Sequence, residues 1–407
     1  MTFEIAQLCD IDVDVIDGDR GKNYPHQDEL LESGYCLFLS AKNVTQNGFL
    51  FADNQFITQE KDGLLNNGKL NRGDIVITTR GTVGNVAIYS DDVPYRNIRI
   101  NSGMLIIRCG ENIDNYYLYQ VLRSKWFYNQ ILSIQSGSAQ PQLPKSHFLK
   151  MTIPMPDIDT QHKIAIILSG IGDKINVNTA INENLEQQAH ALFKAWFVDF
   201  EPFGGVMPYD WNVGIVSDLS KEIICGKTPS TKKKEYYGNF MPFITIPDMH
   251  NCVYAISTER YLSELGAKSQ SKKTLPKNSI CVSCIGTAGL VVLVAVDSQT
   301  NQQINSIIPK DGYSPYYIYL FMQTLSEKIN RLGQSGSTIV NLNKAQFGIM
   351  EALVPSIVSM NEFDSIVQPL FKLILANQQE NQRLSAIRDT LLPKLMNGEI
   401  DVSAVKI

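Results

Sequence analysis

The residues in this chain best suited to chemistry are short hydrogen-bonding side chains and cations set in loops, and together they suit a polyanion with a readable edge. Thr228-Pro-Ser-Thr-Lys-Lys-Lys-Glu-Tyr-Tyr237, with Lys227 just before it, places Thr228 and Ser230 ahead of Lys232, Lys233 and Lys234, and those ahead of Tyr236 and Tyr237. Lysines neutralise phosphates, and tyrosines stack or hydrogen-bond. Thr78, Thr79 and Arg80 run into Gly81-Thr-Val-Gly84, whose Thr82 has a counterpart, Thr287, in Gly286-Thr-Ala-Gly289; Arg96 and Arg99 follow the first of these turns. An arginine fork suits guanine O6 and N7.

A third loop occurs twice. Gln135-Ser-Gly-Ser-Ala-Gln-Pro-Gln-Leu143 offers Ser136, Ser138, Gln140 and Gln142, and Gln334-Ser-Gly-Ser-Thr-Ile-Val-Asn-Leu342 offers Ser335, Ser337, Thr338 and Asn341. Gln and Asn bond adenine edges bidentately, while Ser, Thr and backbone amides suit phosphates. Taken singly, each loop reads as an ordinary polar turn; recurrence at matching places makes double-stranded DNA the better reading.

No catalytic residues emerge. The chain lacks a GxxxxGK[ST] phosphate loop, a GxGxxG opening a helix, and an Asn-Pro-Pro-aromatic or Asp-Pro-Pro-aromatic element for holding a flipped base. Cys281 and Cys284 form a CxxC without a second ligand pair nearby, so packing in a buried strand is expected of them rather than a metal site. The five histidines are dispersed. No cofactor or metal is expected on this chain, which reads as positioning chemistry done by others.

Two long helices must carry these loops. Ile164, Leu168, Ile171, Ile175, Asn178, Asn182, Leu185, Ala189, Leu192 and Trp196 are spaced alternately four and three apart, and so are Phe363, Val367, Leu370, Ile374, Asn377, Asn381, Leu384, Arg388, Leu391 and Leu395. Every member of one row lies 199 residues from its counterpart. A sustained 3.5-residue period is the seam of a helix packed on a partner helix. Buried Asn in such a seam fixes register, the alternative being a solvated face at mid-helix. Thr160 and Asn361 are candidate N-caps, and Pro393 is expected to kink or end the second helix. Upstream the offset becomes 205, pairing the two Gly-Thr-x-Gly turns, so a net difference of six residues lies within 85–134.

The expected class is α+β: two pseudo-repeated mixed α/β modules separated by a pair of long antiparallel coiled-coil helices. The modules are 1–157 and 202–356, the helical regions 158–201 and 357–400, and the tail 401–407. With 407 residues, 44% hydrophobic and 19% charged, the chain can build such modules with proper cores. Its formal net charge of −5 argues against a surface that is basic all over, not against a basic face. No apolar run looks long enough to cross a membrane and Met1–Asp10 lacks the features of a signal peptide, so the expected address is the cytoplasm. A coiled-coil adaptor whose heads bind protein is the rival reading; a stand-alone methyltransferase or nuclease is disfavoured by the missing motifs.

The chain resembles the specificity subunits of type I restriction-modification systems along essentially its whole length. The resemblance rests on Gly226-Lys-Thr-Pro-Ser-Thr-Lys-Lys-Lys-Glu-Tyr-Tyr-Gly238, the Gly-Thr-x-Gly turns, the Ser-Gly-Ser loops, Asn182-Glu-Asn-Leu-Glu186 with Leu192-Phe-Lys-Ala-Trp-Phe-Val-Asp-Phe200, and Arg388-Asp-Thr-Leu-Leu-Pro-Lys-Leu-Met-Asn-Gly-Glu-Ile400. It implies two target recognition domains, each reading half of a split DNA site, and helices that set the gap and dock methyltransferase and restriction subunits. S-adenosylmethionine, ATP and Mg would belong to those partners. Gly21-Lys-Asn-Tyr-Pro25 only loosely echoes Gly226-Lys-Thr-Pro-Ser230. Glu183, Glu186, Glu362 and Glu380 are expected to present an acidic docking surface on the outer faces of the helices.

Overall fold

The computed structural model describes residues 3–135, 142–334 and 342–405. The chain forms two compact units, Met1–Lys174 with Leu384–Ile407, and Ile175–Arg383. Each unit takes one mixed module and part of both long helices, so the units divide the helices rather than ending where the helices begin.

In the first unit, strands Val13–Asp17, Met104–Cys109, Ile75–Thr78 and Val86–Ile88 form an antiparallel sheet in that spatial order. Both faces of its centre are covered. Ile75, Ile77, Leu105 and Ile107 join the core beneath helices Asn115–Arg123 and Lys125–Gln135, while Val76, Met104 and Ile106 join a second core on the opposite face. Side chains alternate across a strand with period two, so a strand apolar throughout must be buried on both sides. A smaller sheet sets Cys36–Leu39 antiparallel to Phe56–Ile57 and parallel to Ile98–Ile100.

The second unit repeats the plan. Ser220–Cys225, Ile304–Pro309, Ile280–Ser283, Val291–Val294 and Tyr254–Ala255 form the large sheet, and Tyr237–Ile244 lies between Tyr261–Leu262 and Gln299–Thr300 in the small one. Cys281 and Cys284 fall in its two cores, and burial pushes both thiols up to about 12. A buried tyrosine ties each module's helix to its last strand: Tyr117 donates to the Pro154 carbonyl at 2.8 Å and Tyr317 to the Leu353 carbonyl at 2.7 Å.

Strand register places the length differences. Glu4 and Asn212 correspond at an offset of 208, as do Val15 and Ile223; Phe38 and Phe243 at 205; Ile107 and Ile307 at 200; Ile153 and Ala352 at 199. Five of the six residues expected within 85–134 lie in the loop between Ile88 and Ile98, and a further three-residue difference lies upstream of Phe38.

The helices run Ile158–Phe197 and Ile357–Met396, forty residues each. They start earlier than the Thr160 and Asn361 caps would place them. Asp157 accepts from the Thr160 backbone at 2.9 Å, and Ser356 from the Ser359 backbone at 3.3 Å, because a capping oxygen must stand just ahead of the free N–H groups of the first turn. Pro393 does not end the second helix. It lies exposed in the last turn, near the helix end, where fewer intrahelical bonds depend on its missing N–H.

In the second unit the two helices are antiparallel, with Phe197 and Phe363 rings 4.9 Å apart at one level and asparagines paired at another. Asn178 Nδ2 donates to Asn381 Oδ1 at 2.9 Å, and Asn377 Nδ2 donates to Asn182 Oδ1, also at 2.9 Å. Asn182 Nδ2 then reaches the Ile374 carbonyl and Asn381 Nδ2 the Ile175 carbonyl, both at 3.3 Å. Exchanging the helices at an offset of 199 maps each of these bonds onto its fellow. Asn178 and Asn377 are buried, which decides against a solvated face at mid-helix. In the first unit Ile164 and Leu168 share a core with Leu392 and Leu395.

Every seam residue is buried or half-buried. The seam positions Ile171, Ile175, Asn178, Asn182, Leu185, Leu370, Ile374, Asn377, Asn381 and Leu384 are all among them, and the four asparagines pair across the helices. Of the expected acidic surface only Glu183 and Glu362 are exposed: Glu380 accepts from Asn178 at 2.7 Å, and Glu186 accepts from Tyr319 Oη at 2.9 Å and Gln323 Nε2 at 3.1 Å. One described stretch, Ile158–Phe203, is long and apolar enough by length and composition to cross a membrane, which the sequence reading did not anticipate. The seam residues raise its mean hydropathy without forming an unbroken apolar run.

Replacing Asn377 by Ala strands the amide oxygen of Asn182 and should cost about 1–3 kcal/mol in urea unfolding of the full chain. The double variant N182L/N377L removes both polar groups together and should recover part of that loss.

Candidate nucleic-acid interface

Three turns meet at one end of the large sheet of the first unit. The loop after Val13–Asp17 begins with Gly18, which packs so closely on the Asn101 carbonyl that a β-carbon would collide with it. The turn at 101–103 is closed by the Gly103 amide on Asn101 Oδ1 at 2.9 Å, and its carbonyl accepts from Thr79 N at 2.7 Å and Arg80 N at 3.2 Å. The Gly81-Thr-Val-Gly84 turn has both glycines at positive φ, +72° and +92°, where a β-carbon is strained. Leu143 N then bonds to Thr79 O at 3.0 Å, and Gln142 pairs with Arg80 across an antiparallel bridge.

The second unit builds the same cluster from different side chains. Gly226 packs against the Asn301 carbonyl as Gly18 does against Asn101, Cys284 N bonds to Gln303 O at 2.8 Å, and Leu342 N bonds to Cys284 O at 3.0 Å. Gly286 and Gly289 have φ of +79° and +94°. The counterpart of Gly226 is therefore Gly18, not Gly21: close backbone approach selects the glycine, and nothing in the spacing of Gly21-Lys-Asn-Tyr-Pro25 reveals it.

Thr82 and Thr287 stand exposed at the tips of their turns. Lys227 is exposed beside the Thr300 carbonyl that its backbone amide bonds at 2.9 Å, and Thr228 Oγ1 donates to Gln302 Oε1 at 2.7 Å. Ser230, Lys232, Lys233 and Lys234 follow, all exposed. Tyr237 holds this loop by donating to the Pro229 carbonyl at 2.9 Å, and Lys233 Nζ bonds to Tyr236 Oη at 3.1 Å, so both tyrosines are half-buried supports rather than free stacking faces.

Three expected contacts leave the surface. Arg99 is 5% exposed; Nε binds Asp62 Oδ1 at 2.5 Å while its other nitrogens bond to the carbonyls of Asn67, Asp62 and Leu65. Burial alone would raise the Asp62 carboxyl, but Lys69 and Arg99 outweigh it and hold it below the usual carboxylate range. Gln299 occupies the place of Arg99 in the second unit, bonded to Gln270 at 2.7 Å, so this is a core position filled by two different polar solutions. Thr78 is fully buried, its hydroxyl closing the turn onto the Thr82 carbonyl and the Asn85 amide, and Ser283 does the same for Leu290. Arg96 is exposed but stands in the loop that precedes Ile98, at the other end of strand Val86–Ile88 from the Gly-Thr-x-Gly turn. Thr79 is buried and contributes its backbone. Ser136, Ser138, Gln140, Ser335, Ser337, Thr338 and Asn341 lie outside the described residues.

Two cations not among the expected DNA contacts belong to this end of the first unit. Asp17, Arg20, Arg80, Gln142 and Lys145 line a cleft of about 340 Å³ floored by Leu105 and Leu143. Arg20 Nη2 bonds to Asp17 Oδ1 at 3.2 Å and to the Ser102 carbonyl at 3.3 Å, and Lys145 Nζ bonds to the Val15 carbonyl at 2.5 Å. Lys145 had a signal, its repetition as Lys344; Arg20 had none.

Comparison with known proteins agrees with this duplicated design. The type I restriction modification DNA specificity domain family matches residues 1–187 and again 208–388. The chain is 33% identical to the type I restriction enzyme HindI specificity subunit of Haemophilus influenzae, over 94% of this chain and 98% of that one. It is 29% identical to the MjaIX specificity subunit of Methanocaldococcus jannaschii, over 81% and 78%. The crystal structure of a type I restriction-modification S subunit from M. genitalium shares the fold with a TM-score of 0.58 at 15% identity, covering 97% of this chain and 96% of that one.

Arg99→Ala leaves the Asp62 carboxylate buried with one cation fewer, and should lower stability by about 3 kcal/mol in urea; Arg80→Ala, on the surface, should change it by no more than about 0.5 kcal/mol. Because the folded carboxyl of Asp62 is held low, its contribution is present above the usual carboxylate range and is lost as pH falls through the folded value. Acid titration of the wild type should therefore show a stability loss that Asp62→Asn does not share.

Proposed function

This chain belongs to the type I restriction-modification DNA specificity family, and we propose that each of its two modules reads one half of a bipartite, asymmetric site in double-stranded DNA. The observation that carries this reading is the duplicated cluster of turns, which share the backbone bonds of Thr79 and Cys284 and the glycine positions but differ in most of the side chains they expose. A framework of shared hydrogen bonds holds each loop in place, and side chains that differ between modules suit two different half-sites.

The paired helices set the gap between half-sites and dock methyltransferase and restriction subunits. The chemistry resides in those partners. S-adenosylmethionine serves the methyltransferase subunits, which extrude the target base, and ATP and Mg serve the restriction subunits, while this chain supplies position and sequence without a catalytic step. The net charge of −5 fits such a division, because much of the phosphate clamp is then provided by partners. The complex works on DNA in the cytoplasm.

Exchanging residues 1–157 for the corresponding module of a relative should change one half of the site, read by sequencing modified bases in cells carrying the complete system, and leave the other half untouched. A change in both halves would contradict the two-module reading. Replacing Lys232, Lys233 and Lys234 together by Ala should weaken DNA binding by the assembled complex and reduce the slope of log affinity against log salt by up to about 2.7.

A further inference from the structure

Resting on the reading that each module contacts DNA, we infer that Arg80 and Gln142 are the base-reading pair of the first module and that Ile285 takes the place of Arg80 in the second. The two half-sites then differ at this position in kind, a guanine edge in one and a thymine methyl in the other.

The backbone of Arg80 is fixed by its amide on the Gly103 carbonyl and by the bridge to Gln142. Bridge partners project to the same side of a ribbon with β-carbons about 5 Å apart, so the guanidinium and the amide leave the surface side by side. Both residues are exposed, and neither side chain makes a hydrogen bond or ion pair among the described residues. Arg80 thus presents an unused planar fork, and Gln142 an unused donor and acceptor, the groups that guanine O6/N7 and adenine N6/N7 match.

The neighbouring cations are already committed. Nη2 of Arg20 belongs to both forks of its guanidinium, and it is taken by Asp17 and Ser102; Lys145 is tethered to Val15. They strengthen the positive field of the cleft without offering a free bidentate edge, which suits phosphate rather than a base.

In the second module Cys284 makes the two backbone bonds that Thr79 makes in the first, so the next residue, Ile285, stands where Arg80 stands. It is half-buried, branched and unable to donate. The base-edge feature it fits is the 5-methyl group of thymine.

The test is the recognised sequence, read from modified bases in cells carrying the complete system with Arg80→Ile, Arg80→Lys or Ile285→Arg. Both Arg80 variants should lose about tenfold or more of the preference for guanine at one position of one half-site, since lysine keeps the charge but not the fork, with the other half and the gap unchanged. Ile285→Arg should gain a preference for guanine at one position of the other half. Unaltered preference in Arg80→Lys, or changes in both halves from any single variant, would overturn the assignment while leaving DNA reading intact. A wild type that modifies no bipartite site would overturn DNA reading itself.

Discussion

The reciprocal asparagine pairs, Asn178 with Asn381 and Asn182 with Asn377, are the constraint on which the helical part of the structure depends. An apolar seam alone tolerates sliding by a heptad, because leucine and isoleucine knobs fit many holes equally well. Buried amides do not, since a slip of one heptad leaves their donors and acceptors unpaired in a low-dielectric interior at about 1–3 kcal/mol each. The bonds map onto one another when the helices are exchanged, so the register they select is the one in which the Asn178–Asn381 and Asn182–Asn377 pairs are equivalent about a pseudo-twofold axis. Glu380 is the exception: it takes a second bond from Asn178, and its counterpart in the first helix is Ile181.

Within each module a similar separation holds between what is shared and what varies. The turns are fixed by backbone bonds and by glycines that approach carbonyls or adopt positive φ; the bonds of Thr79 recur at Cys284, and Gly18, Gly81 and Gly84 recur as Gly226, Gly286 and Gly289. Thr82 and Lys145 recur as Thr287 and Lys344, but the other side chains above the turns do not. Arg20 and Arg80, with Lys145, give the first module a cationic cleft, while the second keeps a lysine at Lys344 but has Thr228 and Ile285 in place of the two arginines and carries further charge on the lysine loop. A scaffold that holds loops by main-chain contacts leaves their side chains free to change without loss of fold.

The seam and the paired turns were legible because their signals are local: a 3.5-residue period, and glycines at fixed spacing. Arg99 was misplaced because its partner, Asp62, is 37 residues away, and an arginine near a cationic turn looks the same in sequence whether it faces solvent or a buried carboxylate. Gly18 and Arg20 were missed because the first module's loop departs in length from the second, and only strand register revealed the offset of 208. The early helix end expected at Pro393 does not occur, since a proline in the last turn disrupts fewer intrahelical bonds than one in a helix interior.

In the proposed function the helices measure and the modules read, and the most direct test is to lengthen the helices alone. Inserting one heptad into each helix at the level of the asparagine pairs, with the seam preserved, adds about 10 Å to both. Sequencing of modified bases in cells carrying the complete system should then show both half-sites unchanged and the gap longer by about three base pairs, given a rise of about 3.4 Å per base pair. An unchanged gap, or altered half-sites with the modules intact, would contradict it.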